Sequence, residues 1–124
     1  GYNLYKNIKK NGYFNKINDI VWAELIESQS KELDYRTIYI MDQNKDKYIL
    51  DSILIRDTKR IHFCCLLTIN NEEYMYDGAS NPSLKPLKWK NTTFLNQDKD
   101  FNINSNSLSW NMRNSYQVLN YYRV

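Results

Sequence analysis

Apolar residues in the first third of the chain recur at helical spacing. Val21, Trp22, Leu25, Ile26 and Leu33 fall on one side of a 3.6-residue period, with Glu24 and Glu27 on the other. Asp19 stands where a helix N-cap is wanted. The pattern predicts one amphipathic helix over residues 19–33, with Trp22 in the core. Residues 1–18 are polar and irregular. Within them, residues 1–11 read as a flexible lead, and Gly12 with residues 15–18 as a loop. After the helix the period drops to two. Strands are predicted over residues 38–41, 48–56, 61–69, 73–77 and 116–123, with Asn44, Lys45 and Asp46 as a turn. Residues 78–112 are looser, but Leu84, Leu87, Trp89, Phe94, Leu95, Phe101 and Ile103 imply packing and one or two further short strands. One helix on an antiparallel sheet is an α+β domain.

The segment 61–69 carries Ile61, Phe63, Cys65, Leu67 and Ile69 on one face, and His62, Cys64, Leu66 and Thr68 on the other. The first face, uniformly apolar, is expected to be core. Asn70 and Asn71 follow, and Asn tolerates the positive φ of a two-residue hairpin turn. Pairing about that turn sets Leu67 opposite Tyr74, Cys65 opposite Tyr76 and Cys64 opposite Asp77. His62 is then a diagonal neighbour of Asp77, about 7 Å away at the backbone and within side-chain reach. An imidazole beside a carboxylate is the orienting half of a catalytic triad. The plainer alternative is that a lone His on a strand is structural or simply exposed.

Composition narrows the classes. A chain of 124 residues is one domain's worth. Eleven Tyr and 15% aromatics, with a mean hydropathy of −0.72, describe a polar surface over an aromatic-rich core. The net charge of +3 is dispersed, and the densest basic stretch, residues 85–90, is interrupted by Pro86. That argues against a nucleic-acid footprint, which needs a basic stripe. Exposed aromatics with basic neighbours make residues 84–89 a candidate protein-interaction surface, while Trp89 itself is expected to cover the sheet. Trp110 is assigned to neither role. Cys64 and Cys65 are adjacent and point to opposite faces, so they cannot staple the fold to each other, and no other cysteine exists. With a single His there is no metal constellation, and no cofactor is expected. Free thiols point to a reducing compartment, cytosol or nucleus. No stretch approaches the ~18 apolar residues of a membrane span, and no charged-then-apolar leader is visible.

The run Tyr48-Ile-Leu-Asp-Ser-Ile-Leu-Ile-Arg56, then His62-Phe-Cys-Cys-Leu, then Glu73-Tyr-Met-Tyr-Asp77, then Tyr116-Gln-Val-Leu-Asn-Tyr-Tyr-Arg123, resembles the C-terminal half of a ubiquitin-specific protease. By that resemblance His62 corresponds to the catalytic histidine and Asp77 to the carboxylate that orients it. The family's cysteine box is echoed by Gly12, Asn15 and Asn18. Asn15 then falls at the oxyanion-hole position and Ile20 at the nucleophile, while Ile17 and Asp19 replace the box's Gly and Thr. The resemblance implies a minimal papain-like core in a single domain, 1–124: a degenerate box loop and helix at 12–34, then the antiparallel sheet at 36–124. Only 41 residues separate Ile20 from His62, so the family's finger insertion has no room.

Cysteine-protease chemistry needs a thiolate beside the imidazole, and Ile20 has no nucleophilic atom. Cys64 lies two residues from His62 along one strand, about 7 Å away, and Cys65 is expected to face the core. Three readings follow. The first is a catalytically inactive, ubiquitin-specific-protease-like domain that binds another protein or serves as a structural subunit, with affinity for ubiquitin weak or lost. The second is an active cysteine hydrolase whose nucleophile comes from another segment or chain. The third is an unrelated small α+β binding module, such as a viral one.

Overall fold

The computed structural model describes residues 1–16, 18–33, 36–57, 61–80, 82–102 and 109–124. The box position Ile17 and the apolar Ile103 lie outside the described residues. One antiparallel sheet of seven strands organises the chain: β1 (Ile20–Leu25), β2 (Tyr39–Met41), β3 (Lys47–Arg56), β4 (Phe63–Ile69), β5 (Glu72–Tyr76), β6 (Leu84–Pro86) and β7 (Gln117–Arg123). The order is β1-β7-β3-β4-β5-β6, and β2 pairs with β3. Among the described residues three helices accompany it, α1 (Tyr2–Asn11), α2 (Glu27–Glu32) and α3 (Thr92–Asn96). The fold is α+β.

The predicted helix over 19–33 is the largest correction. Its first half is β1, paired along its whole length with β7 from Ile20↔Tyr122 to Leu25↔Gln117. Ala23 and Leu25 face the core, while Ile20 and Trp22 face outward at 54% and 67% exposure. Trp22 is therefore not core. Ile20, Val21 and Trp22 are β-branched or aromatic, residues that favour a pleated surface once a partner strand is present. Only the second half is helical. There α2 starts after Ile26, whose N–H donates to Gln29 Oε1 at 3.0 Å. Arg36 closes its other end, donating from Nη2 to Ser30 O (2.8 Å) and from Nη1 to Leu33 O (3.2 Å). The guanidinium is fully buried, and burial lowers its pKa to about 10.

The expected flexible lead, residues 1–11, is instead helix α1. Tyr5 anchors it: the ring is buried and its hydroxyl lies 2.7 Å from that of Tyr121. Leu4 and Ile8 pack beside it. Gly12 ends the helix with φ 83°, and its N–H reaches Ile8 O at 2.8 Å. That left-handed cap is the conformation glycine favours.

The long strand β3 has buried residues at 48, 50, 53 and 55, a one-residue break in strict alternation. A bulge between Leu50 and Ser52 absorbs it, so all four side chains reach the same core. The faces of β4 are the reverse of those expected. Cys64 and Leu66 are buried, and Phe63 and Ile69 are about two-fifths exposed. Both faces of this strand are apolar, so alternation alone had no polar side to mark. The neighbours decide: Leu66 pairs with Ile53 and Met75, and Cys64 with Ile55, all buried. Ile61, outside the strand, is 83% exposed.

The described residues of the stretch 78–112 contribute one short strand, β6, and one short helix, α3, whose N-cap Asn91 accepts from Phe94 N at 2.8 Å. Trp89 is fully buried against the sheet, with Nε1 donating to Leu67 O at 3.1 Å. Trp110 is fully buried too. The core thus lies on one face of the sheet, under α1, Trp89, α3 and Trp110.

Candidate functional site

The hairpin of β4 and β5 builds the site. Asn70 and Asn71 have φ of 51° and 63°, positive at both positions as a two-residue hairpin turn requires. The turn sets the register Leu67↔Tyr74 and Cys65↔Tyr76. One residue beyond the paired strands, on the core side, stand His62 and Asp77. Their side chains meet, with His62 Nε2 2.7 Å from Asp77 Oδ1.

Asp77 opens a tight turn that closes on its own carboxylate. Ala79 N donates to Oδ1 (3.0 Å), Ser80 Oγ donates to Oδ2 (2.9 Å), and Ser80 N donates to the Asp77 carbonyl (3.0 Å). The carboxylate side chain has no exposed surface, whereas 29% of the imidazole is open to solvent. Burial is the largest single influence on Asp77 and opposes ionisation. The hydrogen bonds from His62, Ala79 and Ser80 together outweigh it and hold the carboxyl below the usual carboxylate range. Ser80 and the Ala79 amide were not among the residues singled out from sequence. The signal was there: Asp followed by small residues and Ser is a turn in which the aspartate accepts from the backbone two residues on.

With Nε2 held by the carboxylate, the neutral ring presents Nδ1 as a lone pair. Among the described residues Nδ1 has no hydrogen-bond partner. The Trp110 ring packs 6.1 Å from the imidazole, centroid to centroid. The pair can therefore orient a base, but a thiolate is not within its reach. Cys64 is sealed in the core, and burial pushes its thiol far up, with Cys65, Asp77 and Asp57 adding to the shift. Cys65 lies on the opposite face, not in the core as expected, and is raised by burial.

Asn15 and Ile20 are elsewhere. Asn15 is exposed in the loop between α1 and β1, and Ile20 begins β1 rather than a helix. Together with Leu4, Phe14, Asn18 and Trp22 they line a cleft of about 280 Å3. Ile20 is aligned with Tyr122 and Ile49, at one end of the sheet. His62 is aligned with Asp57, at the other end, three strands across. From the rise per residue and the strand spacing, the two are roughly 25 Å apart. The structure joins His62 to Asp77 and separates both from Asn15 and Ile20.

Among the described residues no group of three His, Cys, Asp or Glu side chains could hold a metal ion, and no helix is long and apolar enough to cross a membrane. No family model matches the chain, and no curated protein or solved structure matches it at a significant level.

Proposed function

We propose that this chain is a non-catalytic, ubiquitin-specific-protease-like module that works by binding protein in a reducing compartment, cytosol or nucleus. One observation carries the reading: an oriented imidazole–carboxylate pair with no thiolate in reach. The family-like motifs at 48–56, 62–66, 73–77 and 116–123 fall on or next to β3, β4, β5 and β7, which are neighbours in one sheet. Their adjacency supports the resemblance of the C-terminal half and its papain-like sheet. The box-like residues do not share in that support, because Ile20 sits at the far end of the sheet. Inactivity therefore follows from the lack of a thiolate within reach of His62, and not from a replaced cysteine at Ile20. Without its nucleophile such a site loses most of its rate.

The experiment is incubation of the purified chain with ubiquitin bearing a thiol-reactive C-terminus and with a fluorogenic ubiquitin ester. The expected result is no adduct and no turnover above that of His62→Ala. Turnover that His62→Ala abolishes would overturn the proposal.

A second reading is favoured by Nδ1, which has no partner among the described residues: a thiol from another segment or chain completes the site. In that case a small thiol added at millimolar concentration is activated by the chain. Thiolysis of an activated ester then runs faster with wild type than with His62→Ala, although the chain alone stays inert.

A further inference from the structure

The sheet has two faces, and only one is the core. On the other, alternation places Ile20 and Trp22 of β1, Val118 and Tyr122 of β7, Leu54 of β3, and Phe63 of β4. The pairings Ile20↔Tyr122, Val118↔Leu54 and Leu54↔Cys65 confirm that these positions share one side. The face continues over β5 and β6 through Tyr76↔Leu84. No described helix covers it: Leu4 of α1 only borders Ile20 and Trp22 at the β1 edge, Glu27 of α2 meets Arg56 at the rim, and Tyr5, Trp89 and the α3 side chains belong to the opposite cluster. Trp22, Ile20, Leu54, Phe63, Tyr122 and Tyr76 are 39–67% exposed.

We infer that this open face is the interface of a homodimer, formed by stacking two copies sheet on sheet. The inference deepens the proposed binding role by naming the partner as a second copy of the chain. Two arguments select it. The first is area. Six strands at ~4.8 Å, each contributing about six residues at ~3.3 Å, cover roughly 570 Å2 in projection, and the corrugated accessible surface is larger. A stable interface takes about 800 Å2 from each partner, a size the corrugated face approaches, and its projection alone is at the top of the roughly 300–600 Å2 that the largest patch of a monomer covers. The second is charge. Among the paired residues, Glu24, Arg56, Lys47 and Glu72 sit on the rim. The interior pairs bring only small uncharged polar groups, Ser52 and Asn120. With two acidic and two basic residues on its rim and none in its interior pairs, the face has no net charge with which to select an acidic or basic partner, but it matches its own copy. A two-fold needs only such self-complementarity, and sheets stack in this way about 10 Å apart.

Sedimentation velocity on the purified chain between 1 and 100 μM tests it. The expected species is twice the 15.0 kDa chain. Leu54→Glu and Phe63→Glu, which put a charge into the stacked surface, should each raise the dimer dissociation constant at least tenfold while leaving the far-UV circular dichroism unchanged. Tyr13→Glu, at an exposed aromatic off this face, should leave it unchanged. As a readout that needs no variant, alkylation of Cys65, on the same face, should slow as concentration rises through the dimer range. A monomer at 100 μM overturns the inference, whether or not some other protein binds the face. So does a dimer that persists in both glutamate variants. Neither result bears on the inertness of the His62 site, which the ubiquitin reagents read separately.

Discussion

Asp77 is the most informative residue to perturb, because one buried carboxylate holds three donors. His62 Nε2 approaches it at 2.7 Å, Ser80 Oγ at 2.9 Å and Ala79 N at 3.0 Å. Bonds to a charged acceptor contribute about 1.5 kcal/mol each at the low end. Asp77→Ala therefore removes on the order of 4.5 kcal/mol of interaction and strands the Ala79 amide and Ser80 hydroxyl. Relief of the buried charge gives back about 1–2 kcal/mol, so the net loss is about 3 kcal/mol. Asp77→Asn keeps the shape and one acceptor, and should cost about 1–2 kcal/mol. Urea unfolding followed by the fluorescence of the buried Trp89 and Trp110 measures both. The dependence on pH has a definite sign. The folded-state pKa of Asp77 is lowered, so its contribution is complete above the ordinary carboxylate value near 4. It fades as pH falls through the lowered one. The gap between wild type and Asp77→Ala should be flat from neutral pH to about 4 and narrow only below it. A loss under 1 kcal/mol for Asp77→Ala, or a gap that narrows on the alkaline side, would refute the account of the carboxylate as the keystone of this turn.

Three further outcomes are expected. Arg36→Ala should cost about 3 kcal/mol in the same unfolding assay, since Ser30 O and Leu33 O lose their buried donor. Arg36→Met should cost less, because it fills the space without desolvating a charge. Ellman's reagent should label Cys65 slowly in the native chain and Cys64 only in denaturant, as the buried thiol has no access and its thiolate is suppressed; two fast thiols would contradict the core assignment of β4. Trp22→Ala should change monomer stability by less than about 1 kcal/mol, whereas Trp89→Ala should cost about 3–5 kcal/mol, which tests directly which tryptophan is core.

Local sequence was enough to place the His62–Asp77 pair. Two adjacent asparagines accept positive φ, a two-residue turn allows one register, and that register carries both residues to the same end of the hairpin. Each step depends only on backbone sterics and on spacing along neighbouring strands. The strands β2, β3 and β7 were legible from their period of two, and the burial of Trp89 against the sheet was expected as well, whereas β6 was not located.

What the chain could not reveal locally is which of two acceptable choices its partners would enforce. Residues 20–25 satisfy a helix period and a strand, and the ladder offered by β7, nearly a hundred residues away, makes them β1. The strand β4 is apolar on both sides, and only the buried Ile53, Ile55 and Met75 beside it turn Cys64 and Leu66 inward. The polar lead becomes α1 because Tyr5 finds the hydroxyl of Tyr121. The separation of Ile20 from His62 has the same origin, since strand order is set by where ladders and burial close on each other, and no spacing along the chain encodes it.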